Sequence, residues 1–399
     1  MRSIDGPLSG YKILDLSRVL SGPAATMMLA DQGADVIKIE PPAGDITRQM
    51  GVGAQGMTSG FLNINRGKRG MCLDLGTEQG RHVVREIAAT CDVVVQNFRP
   101  GTVEALGLGY ADLVKVNKTI IFASISGFGE SGPYAKKRVY DPIIQALSGL
   151  TDIQADSESG RPKMMRTVIP DKVTALTAAQ GITAALLQRE RTGEGQHLRL
   201  AMLDAMIAFL WPEGMINLTV VDEVRDLRIG QLALDLIFQT SDGYITAGAM
   251  SDDEWAGMCK TLERPDWVSD PRFSSTSARF ENAEVRIRET GKILRKRTSA
   301  EWLETLDANG VPCAPVLTRT EMLNNPQVVN NDIIEEYGHP VIGTVRQARG
   351  ATRFGSTKNH SSPVAPALGQ HNAEILKEIG YADEEISKLR SDKIIYSSD

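Results

Sequence analysis

Short apolar runs alternate with helical repeats along the first half of the chain. The segment Thr77–Thr90 repeats its apolar residues at helical spacing and predicts an amphipathic helix. A second helix is predicted between Gly22 and Gly33, because Pro23 suits a first helical turn and a glycine suits a helix end. Buried-type strands are predicted at Tyr11–Ser17, Asp35–Glu40, Asp92–Asn97 and Thr119–Ser126. This alternation predicts an α/β fold, with a mostly parallel sheet and helices on both of its faces.

The next part of the chain continues the alternation and then changes character. A long helix is predicted at Lys172–Arg191, a strand at Gln196–Met202, and an apolar helix at Asp204–Trp211 that Pro212 is expected to end. The later patterns predict a smaller α+β domain over about 225–325. Its predicted elements are a hairpin of Leu236–Thr240 and Tyr244–Ala249, and charged helices at Asp252–Leu262, Ala283–Arg297 and Ser299–Ala308.

The final part of the chain has fewer helix signals. Residues 325–365 contain many turn formers and predict a long extended connection. Terminal helices are predicted at Glu374–Ile379 and Glu384–Leu389.

Composition narrows the class of protein. The chain has 399 residues, enough for two domains, and its net charge of −6 argues against a nucleic-acid binder. Four cysteines without a CxxC pair and five histidines without metal-ligand spacing indicate neither a disulfide framework nor a metal site. We find no apolar signal region or membrane-spanning stretch, so a reducing, cytoplasmic location is expected.

Asp171 is the most informative single residue. It follows Val168-Ile169-Pro170 at the start of the long predicted helix. The positive end of the helix dipole and unpaired backbone N–H groups favour an ionised carboxylate there at neutral pH, as a nucleophile requires. The same position is typical of a simple helix cap, and spacing alone favours that interpretation.

The segment Gly127–Gly132 matches the GxGxxG pattern of dinucleotide-binding loops. It would support a nicotinamide-dependent oxidoreductase if an apolar helix followed at once. Pro133-Tyr134-Ala135 follows instead, after a late strand. The context therefore favours a glycine-permitted loop at the carboxyl end of a strand, lining a ligand cleft.

Several cations follow apolar runs at places where an α/β sheet presents ligand-facing loops. Arg66, Lys68 and Arg69 come after Phe61–Ile64, and Arg99 comes after the predicted strand Asp92–Asn97. These residues suit either a phosphate-bearing ligand or a solvated basic patch, and the pattern does not decide between the two. Tyr140-Asp141-Pro142, taken alone, predicts only the start of a helix.

The order of motifs resembles the class III CoA-transferases, a family that includes formyl-CoA:oxalate and carnitine CoA-transferases and the related α-methylacyl-CoA racemases. The resemblance extends from about residue 7 to about residue 380. Five segments carry it in the family's order: Tyr11–Asp45, Leu62–Leu75, Val94–Gly101, Ser124–Tyr134 and Leu368–Leu376.

The resemblance implies a specific architecture. Residues 1–205 and 335–399 would form a Rossmann-like, CoA-binding large domain, residues 225–325 a small domain, and 206–224 and 326–334 the linkers. Two chains would interlock as a homodimer.

The resemblance also implies covalent chemistry. Asp171 corresponds to the family's nucleophilic aspartate, which would form a mixed anhydride and then an aspartyl-CoA thioester. The CoA thioester and a small carboxylic acid would be the substrates, with no permanently bound cofactor, no metal, and no nucleic-acid or membrane partner. Tyr140 would orient the intermediates.

Residues matching family segments that touch CoA are Leu20, Ser21, Asn65, Lys68, Asn97, Phe98, Arg99 and Lys137. Pro41 and Ala105 stand where some members have a nucleotide-binding arginine. Leu20 replaces a glutamine of the formyl/oxalate enzymes, which argues against oxalate specificity. Residues 247–251 replace a glycine-richer mobile loop, which suggests a stiffer lid and a bulkier acceptor.

Two alternatives are less favoured. The racemase branch carries a His-Asp pair where this chain has Tyr140-Asp141, and no histidine lies in 83–196. Proton abstraction next to a thioester needs a second acid or base, so transfer is favoured over racemisation. A CoA-binding protein without activity is disfavoured because Asp171 is intact.

Overall fold

The computed structural model describes residues 6–156, 159–222, 235–355 and 364–397. The chain divides into two units. The first comprises Met1–Phe209 and Asp332–Asp399, and the second comprises Leu210–Asn331. The first unit is therefore built from both ends of the chain, with the second inserted between them in sequence.

Within its described residues, the first unit contains ten strands and most of the long helices of the chain. Its strands are β1 Lys12–Asp15, β2 Asp35–Glu40, β3 Gly53–Ala54, β4 Met57–Thr58, β5 Lys68–Cys72, β6 Val93–Gln96, β7 Ile121–Ser126, β8 Gln196–Ala201, β12 Ile334–His339 and β13 Gly343–Ala348. Its helices are α1 Ser21–Ala30, α2 Ser59–Asn65, α3 Glu78–Ala89, α4 Thr102–Ala105, α5 Tyr110–Leu113, α6 Asp141–Leu147, α7 Leu150–Ile153, α8 Ile169–Thr192, α16 Asn372–Glu378 and α17 Asp383–Ser391, with a 3-10 turn at Ile46–Gln49. Helix α9, Met202–Gly214, begins in this unit and ends in the second.

Six of these strands form one sheet in the order β5-β2-β1-β6-β7-β8. Every adjacent pair is parallel. Numbered along the chain, the order is that of a Rossmann-like sheet, whose direction reverses between its first and fourth strands, here β1 and β6. In such sheets ligands bind in the crevice at the carboxyl ends of the two strands that flank the reversal. The predicted α/β class with a mostly parallel sheet is confirmed.

Both faces of the sheet are covered, as the continuous apolar strands require. On β1 the side chain of Ile13 packs with α1 and α8, whereas the neighbouring Leu14 packs with α3, α16 and α17 on the other face. Period-two alternation of a strand thus divides the core into two layers. The C-terminal helices supply part of the second layer through Ile375, Leu376, Ile386 and Leu389.

Several predicted boundaries need correction. Helix α8 begins at Ile169 rather than Lys172, because proline at position 170 is tolerated in a first turn. Helix α9 passes through Pro212 instead of ending before it; the proline lies in the last turn, where few hydrogen bonds are lost.

The segment 325–365 is not one extended connection. It contains the hairpin β12–β13, and Val345 of that hairpin packs against Met57, Phe61 and Leu62. The sequence pattern did not predict these strands because they are mostly polar. Only one side of the hairpin contacts apolar residues. Residues 356–363 of the predicted connection lie outside the described residues.

The second unit has its own core. Its strands are β9 Ile237–Gln239, β10 Tyr244–Ala247 and β11 Cys313–Pro315; its helices are α10 Asp252–Thr261, α11 Thr276–Glu281, α12 Ala283–Leu294, α13 Ser299–Ala308, α14 Arg319–Met322 and α15 Pro326–Asn330, with 3-10 turns at Ile216–Leu218 and Pro265–Val268. The predicted hairpin is confirmed as β9–β10, and β11 joins it to form an antiparallel sheet. Buried Trp255, Trp267, Phe273 and Trp302 fill the space between this sheet and the helices.

Among the described residues, no helix has the length and apolar character needed to cross a bilayer.

Candidate active site

The loop that joins β1 to α1 lies at the reversal point of the sheet. Asn97, directly after β6, donates from its side-chain amide to the Arg18 carbonyl at 2.7 Å and accepts from the Arg18 N–H at 2.8 Å. Val19 then adopts a φ of 67°, which is costly for a β-branched residue. This strained conformation turns the chain so that α1 begins at Ser21.

Close approach at the next residue fixes the start of α1. A Cβ added to Gly22 would come within 2.3 Å of the Ser17 Cβ, so only glycine fits there. The first turn of α1 is thereby held against the end of β1. Ser21, which is buried, is presented towards the first turn of α8.

Asp171 occupies that first turn of α8. The N-cap of the helix is Val168, and no side chain caps it, so the interpretation of Asp171 as a cap is wrong. Its carboxylate is half-buried, and the Ser21 hydroxyl and backbone N–H lie near enough to it to lower its pKa. Asp171 therefore lies beside the start of α1, at the reversal point.

A second carboxylate lies beside Asp171. Asp141 is only 3% exposed, and its Oδ2 accepts the backbone N–H of Asp171 at 3.2 Å. Its Oδ1 accepts from the Gln145 amide at 2.7 Å. The same amide group of Gln145 accepts the Met165 N–H at 3.0 Å and donates to the Thr167 carbonyl at 3.2 Å. Asp141 is therefore fixed by α6 and by the segment that leads into α8.

Sequence reasoning missed this role of Asp141 and assigned it only to a helix start. The residue does begin α6. The available signal was the Gln145 side chain one helical turn later, which can hold the aspartate in a single orientation.

The surroundings of Asp171 raise its pKa to about 6. Burial is the largest cause, the negative charge of Asp141 is the second, and the hydrogen bonds from Ser21 act in the opposite direction. The carboxylate remains mostly ionised at pH 7, as expected. The helix terminus was expected to favour the ionised form. The pKa is nevertheless raised, because burial and the neighbouring carboxylate favour the protonated form more strongly.

Two of the predicted CoA-binding residues lie in the interior. The Lys68 ammonium donates to Asp15 Oδ2 at 2.9 Å, to the Pro23 carbonyl at 2.8 Å and to Asn65 Oδ1 at 2.9 Å. The Asn65 amide donates to the Phe61 carbonyl at 3.1 Å. Because all three ammonium hydrogens have acceptors, Lys68 is not available to a CoA phosphate in this arrangement.

The expected position of Lys68 on a ligand-facing loop is wrong. Phe61–Ile64 belongs to α2, and Lys68 begins strand β5 rather than lying on a ligand-facing loop. Its partner Asp15 has a pKa of about 2: burial alone would raise the pKa, but the ammonium groups of Lys68 and Lys38 lower it. This buried network stabilises the end of β1.

Neighbouring arginines are also engaged within the unit. Arg66 pairs with Asp31 at 2.6 Å, and Arg69 pairs with Asp35 at 2.6 Å and with Glu378 at 2.7 Å. They are neither a free phosphate site nor a solvated patch.

The remaining predicted CoA-binding residues lie at or near the carboxyl edge of the sheet. Arg99 is exposed beside a hollow of about 350 Å³, whose lining includes Phe98, His197 and Arg199. Leu20 is half-buried against the core. Lys137 is exposed and lies 3.6 Å from the centre of the Tyr134 ring.

Tyr140 is the N-cap residue of α6, and the residue is 71% exposed. No hydrogen bond between the described residues joins its side chain to Asp171. The orienting role implied by the resemblance therefore stays a prediction.

The loop Gly127–Gly132 does not precede a helix that could receive a pyrophosphate, since α6 starts only at Asp141. A Cβ on Gly127 would lie 2.4 Å from Val139 Cγ1, so the glycine is required for packing within the loop. The loop does not fit a dinucleotide site.

Comparisons with known proteins identify the family of this chain. A family model described as CoA-transferase family III matches residues 8–372. The human succinyl-CoA:glutarate CoA-transferase is 34% identical over 98% of this chain and 90% of its own length. The acetyl-CoA:oxalate CoA-transferase of Acetobacter aceti is 34% identical over 94% of this chain and 96% of its own.

A solved structure of a CAIB/BAIF family protein from Brucella suis is similar throughout. It superimposes with a TM-score of 0.81 and 31% identity, covering 94% of this chain and 100% of that one. The chain therefore belongs to CoA-transferase family III and is an enzyme of that class.

Proposed function

We propose that this enzyme moves CoA from an acyl-CoA to a free carboxylic acid by acylation of Asp171. The observation that carries the proposal is the position of the Asp171 carboxylate: half-buried beside Ser21 at the reversal point of the sheet, with its backbone N–H bound by Asp141 and a pKa of about 6. A carboxylate with this pKa is ionised at neutral pH and more basic than a solvated one. It is therefore a stronger nucleophile that still leaves readily from an anhydride.

The first half of the reaction unloads the donor. An Asp171 oxygen attacks the thioester carbonyl, the C–S bond breaks, and CoA leaves as a thiolate. The product is a mixed anhydride between Asp171 and the donor acid. The thiolate then attacks the Asp171 carbonyl carbon, which releases the donor acid as a carboxylate and leaves Asp171 as its CoA thioester.

The second half loads the acceptor by the same steps in reverse. A carboxylate oxygen of the acceptor attacks the aspartyl thioester and displaces the thiolate, which forms a second anhydride. The thiolate attacks the acyl carbon of the acceptor, giving the new acyl-CoA and the free Asp171 carboxylate. No oxidant, metal ion or net proton transfer is needed.

Asp141 acts as a positioning residue in this scheme. It holds the backbone of Asp171 through one oxygen and is itself fixed by Gln145 through the other. Both oxygens are engaged and the residue is buried, so it is poorly placed to attack a thioester. Its charge raises the pKa of Asp171.

CoA is proposed to follow the carboxyl edge of the sheet. Leu20, Ser21, Asn97, Phe98, Arg99 and Lys137 are the proposed contacts. We assign Asn65 and Lys68 an indirect role, because they support the β1–α1 loop through Asp15 and Pro23. The interlocked homodimer, the cytoplasmic location, and the 1–205, 225–325 and 335–399 domain assignment remain predictions. Light scattering with chain-specific cross-linking tests the dimer.

Mass spectrometry of a trapped intermediate tests the mechanism. The enzyme is incubated with succinyl-CoA alone and quenched with hydroxylamine, which converts an acylated aspartate to a hydroxamate. We expect the mass change on the peptide containing Asp171, and a loss of CoA exchange of at least about 10³-fold in Asp171→Asn. Asp204→Asn is the matched control, since Asp204 is an exposed aspartate in the first turn of α9.

Two results would contradict the proposal. One is exchange at the normal rate in Asp171→Asn. The other is α-proton exchange of a 2-methylacyl-CoA in D₂O without CoA transfer to any acid, which would indicate the racemase chemistry instead.

A further inference from the structure

Arg18 lies in the β1–α1 loop, at the reversal point of the sheet. Its backbone is held on both sides, because the Asn97 side chain accepts from its N–H at 2.8 Å and donates to its carbonyl at 2.7 Å. The Arg18 side chain is half-buried, and its guanidinium carbon lies 5.2 Å from the centre of the Phe98 ring. The loop and the ring together limit the positions that are open to the guanidinium.

The Arg18 guanidinium has no acceptor within the part of the chain that the structure describes. No hydrogen bond or ion pair joins its nitrogen atoms to another described residue. The ring of Phe98 does not replace an acceptor. A phenylalanine ring attracts a cation weakly, and it offers no oxygen atom to the five N–H groups of a guanidinium.

The two acidic side chains that influence the pKa of Arg18 are bound to other cations. Asp45 accepts from the Lys38 ammonium at 3.3 Å, and Glu40 accepts from Arg48 through both carboxylate oxygens at 2.6 and 2.7 Å. Burial lowers the pKa of Arg18 more strongly than these two carboxylates raise it. Arg18 is therefore an additional cation beside carboxylates that already have cationic partners.

Phosphate is the anion that suits this position. Arg18 belongs to the first strand-to-helix turn of a sheet with a Rossmann-like strand order, and such sheets bind the phosphates of a nucleotide at that turn. A guanidinium binds phosphate through two parallel hydrogen bonds from its planar edge. Arg66, Lys68 and Arg69 pair with aspartates of the same unit. Unlike them, Arg18 has no anionic partner among the described residues.

We propose that Arg18 binds a phosphate group of the CoA substrate. The diphosphate and the 3′-phosphate of CoA both offer this chemistry, and truncated ligands distinguish them. The inference rests on the proposed function because it takes CoA as the substrate, but it does not depend on acylation of Asp171.

Calorimetric titration with CoA tests the contact without turnover. In Arg18→Gln we expect the affinity for CoA to fall by about tenfold or more, because a pair of charge-assisted hydrogen bonds is lost. Arg18→Lys keeps the charge but not the planar fork, so it should recover part of the affinity. Arg191→Gln is the matched control, since Arg191 is exposed in the last turn of α8, and it should bind CoA as the unaltered enzyme does.

Two truncated ligands identify the group that Arg18 binds. Dephospho-CoA lacks the 3′-phosphate, and pantetheine lacks every phosphate. An equal loss of affinity for CoA and dephospho-CoA in Arg18→Gln assigns the diphosphate, whereas a loss for CoA alone assigns the 3′-phosphate. In both cases kcat/KM with succinylpantetheine should change by less than about twofold, because that substrate has no group for Arg18 to bind.

Two outcomes overturn the inference. One is unchanged affinity for CoA in Arg18→Gln. The other is an equal loss of kcat/KM with succinylpantetheine and succinyl-CoA, which would show that Arg18 supports the loop or binds the acid.

The same titration in an Asp171→Asn background separates this inference from the proposed mechanism. CoA affinity that depends on Arg18, together with normal exchange in Asp171→Asn, would preserve the phosphate contact and refute only the acylation of Asp171.

Discussion

Two aspartates in the first unit illustrate how the same carboxyl group is used for opposite purposes. Asp15, at the end of β1, is fully buried and has a pKa of about 2, whereas Asp171, in the first turn of α8, is half-buried and has a pKa of about 6. Burial raises the pKa of both. The difference comes from the neighbours: Asp15 faces the ammonium groups of Lys68 and Lys38, and Asp171 faces the carboxylate of Asp141.

The comparison teaches that burial alone does not identify a functional carboxylate. Paired with a cation, a buried aspartate is a structural element whose charge is compensated. Beside a like charge, it is destabilised, and such arrangements are concentrated at reactive sites.

Removing the structural aspartate gives the largest expected effect on stability. Asp15→Asn leaves Lys68 buried without its counter-charge, so we expect the free energy of unfolding in urea to fall by about 3–5 kcal/mol. Lys115→Met is the control: this side chain is 71% exposed in its ion pair, and its loss should cost less than about 1 kcal/mol. Equal losses in the two variants would show that the Asp15 network has no special role.

Asp171, in contrast to Asp15, is expected to lower the stability of the folded protein at neutral pH. The pKa of Asp171 is higher in the folded protein, about 6, than its ordinary value of 3.8. Its contribution to stability is therefore present below pH 3.8 and is lost as pH rises to about 6. The difference corresponds to roughly 3 kcal/mol at most.

Asp171→Asn should consequently be more stable than the unaltered enzyme at pH 7, and the two should become similar near pH 4. Urea denaturation at both pH values measures this. A variant that is less stable at pH 7 would contradict the assignment of Asp171 as a strained, functional group.

The smallest expected effect concerns the pH dependence of kcat/KM, on its acid limb. Because Asp171 must be ionised to attack, kcat/KM should fall below an apparent pKa of about 6. Asp141→Asn removes the neighbouring negative charge while keeping an acceptor for the Asp171 N–H, so the limb should move to lower pH by about one unit. Asp141→Glu, which retains the charge, should leave it near its original place. An unmoved limb in Asp141→Asn would exclude charge coupling between the two residues.

Much of the fold was predictable because its signals are local. The apolar runs of the central strands and the glycines and prolines at helix ends gave the α/β class, and Asp35–Glu40 matches its predicted boundaries. The hairpin β12–β13 was missed because its strands are mostly polar and contact the core at few positions such as Val345.

The site was predictable only in part. Asp171 followed from its position before a long helix together with the resemblance to a family. The spacing of Asp141 and Gln145 is a local signal for a fixed aspartate, but the contact with Asp171 spans 30 residues of sequence and cannot be read from that spacing. Lys68 was expected at a ligand because it follows an apolar run and matches a family segment that touches CoA, yet three acceptors from separate segments satisfy it inside the unit.

The discontinuous first unit has a consequence for biosynthesis. Helices that cover one face of the central sheet include α3, α16 and α17, and the last two are translated only after the whole second unit. Until residues 372–391 emerge, the apolar side chains of that face are covered only in part, although the active-site helix α8 was translated long before. A nascent chain stalled ahead of residue 372 should therefore recruit chaperones that bind exposed apolar surface, and release of the finished chain should end that association.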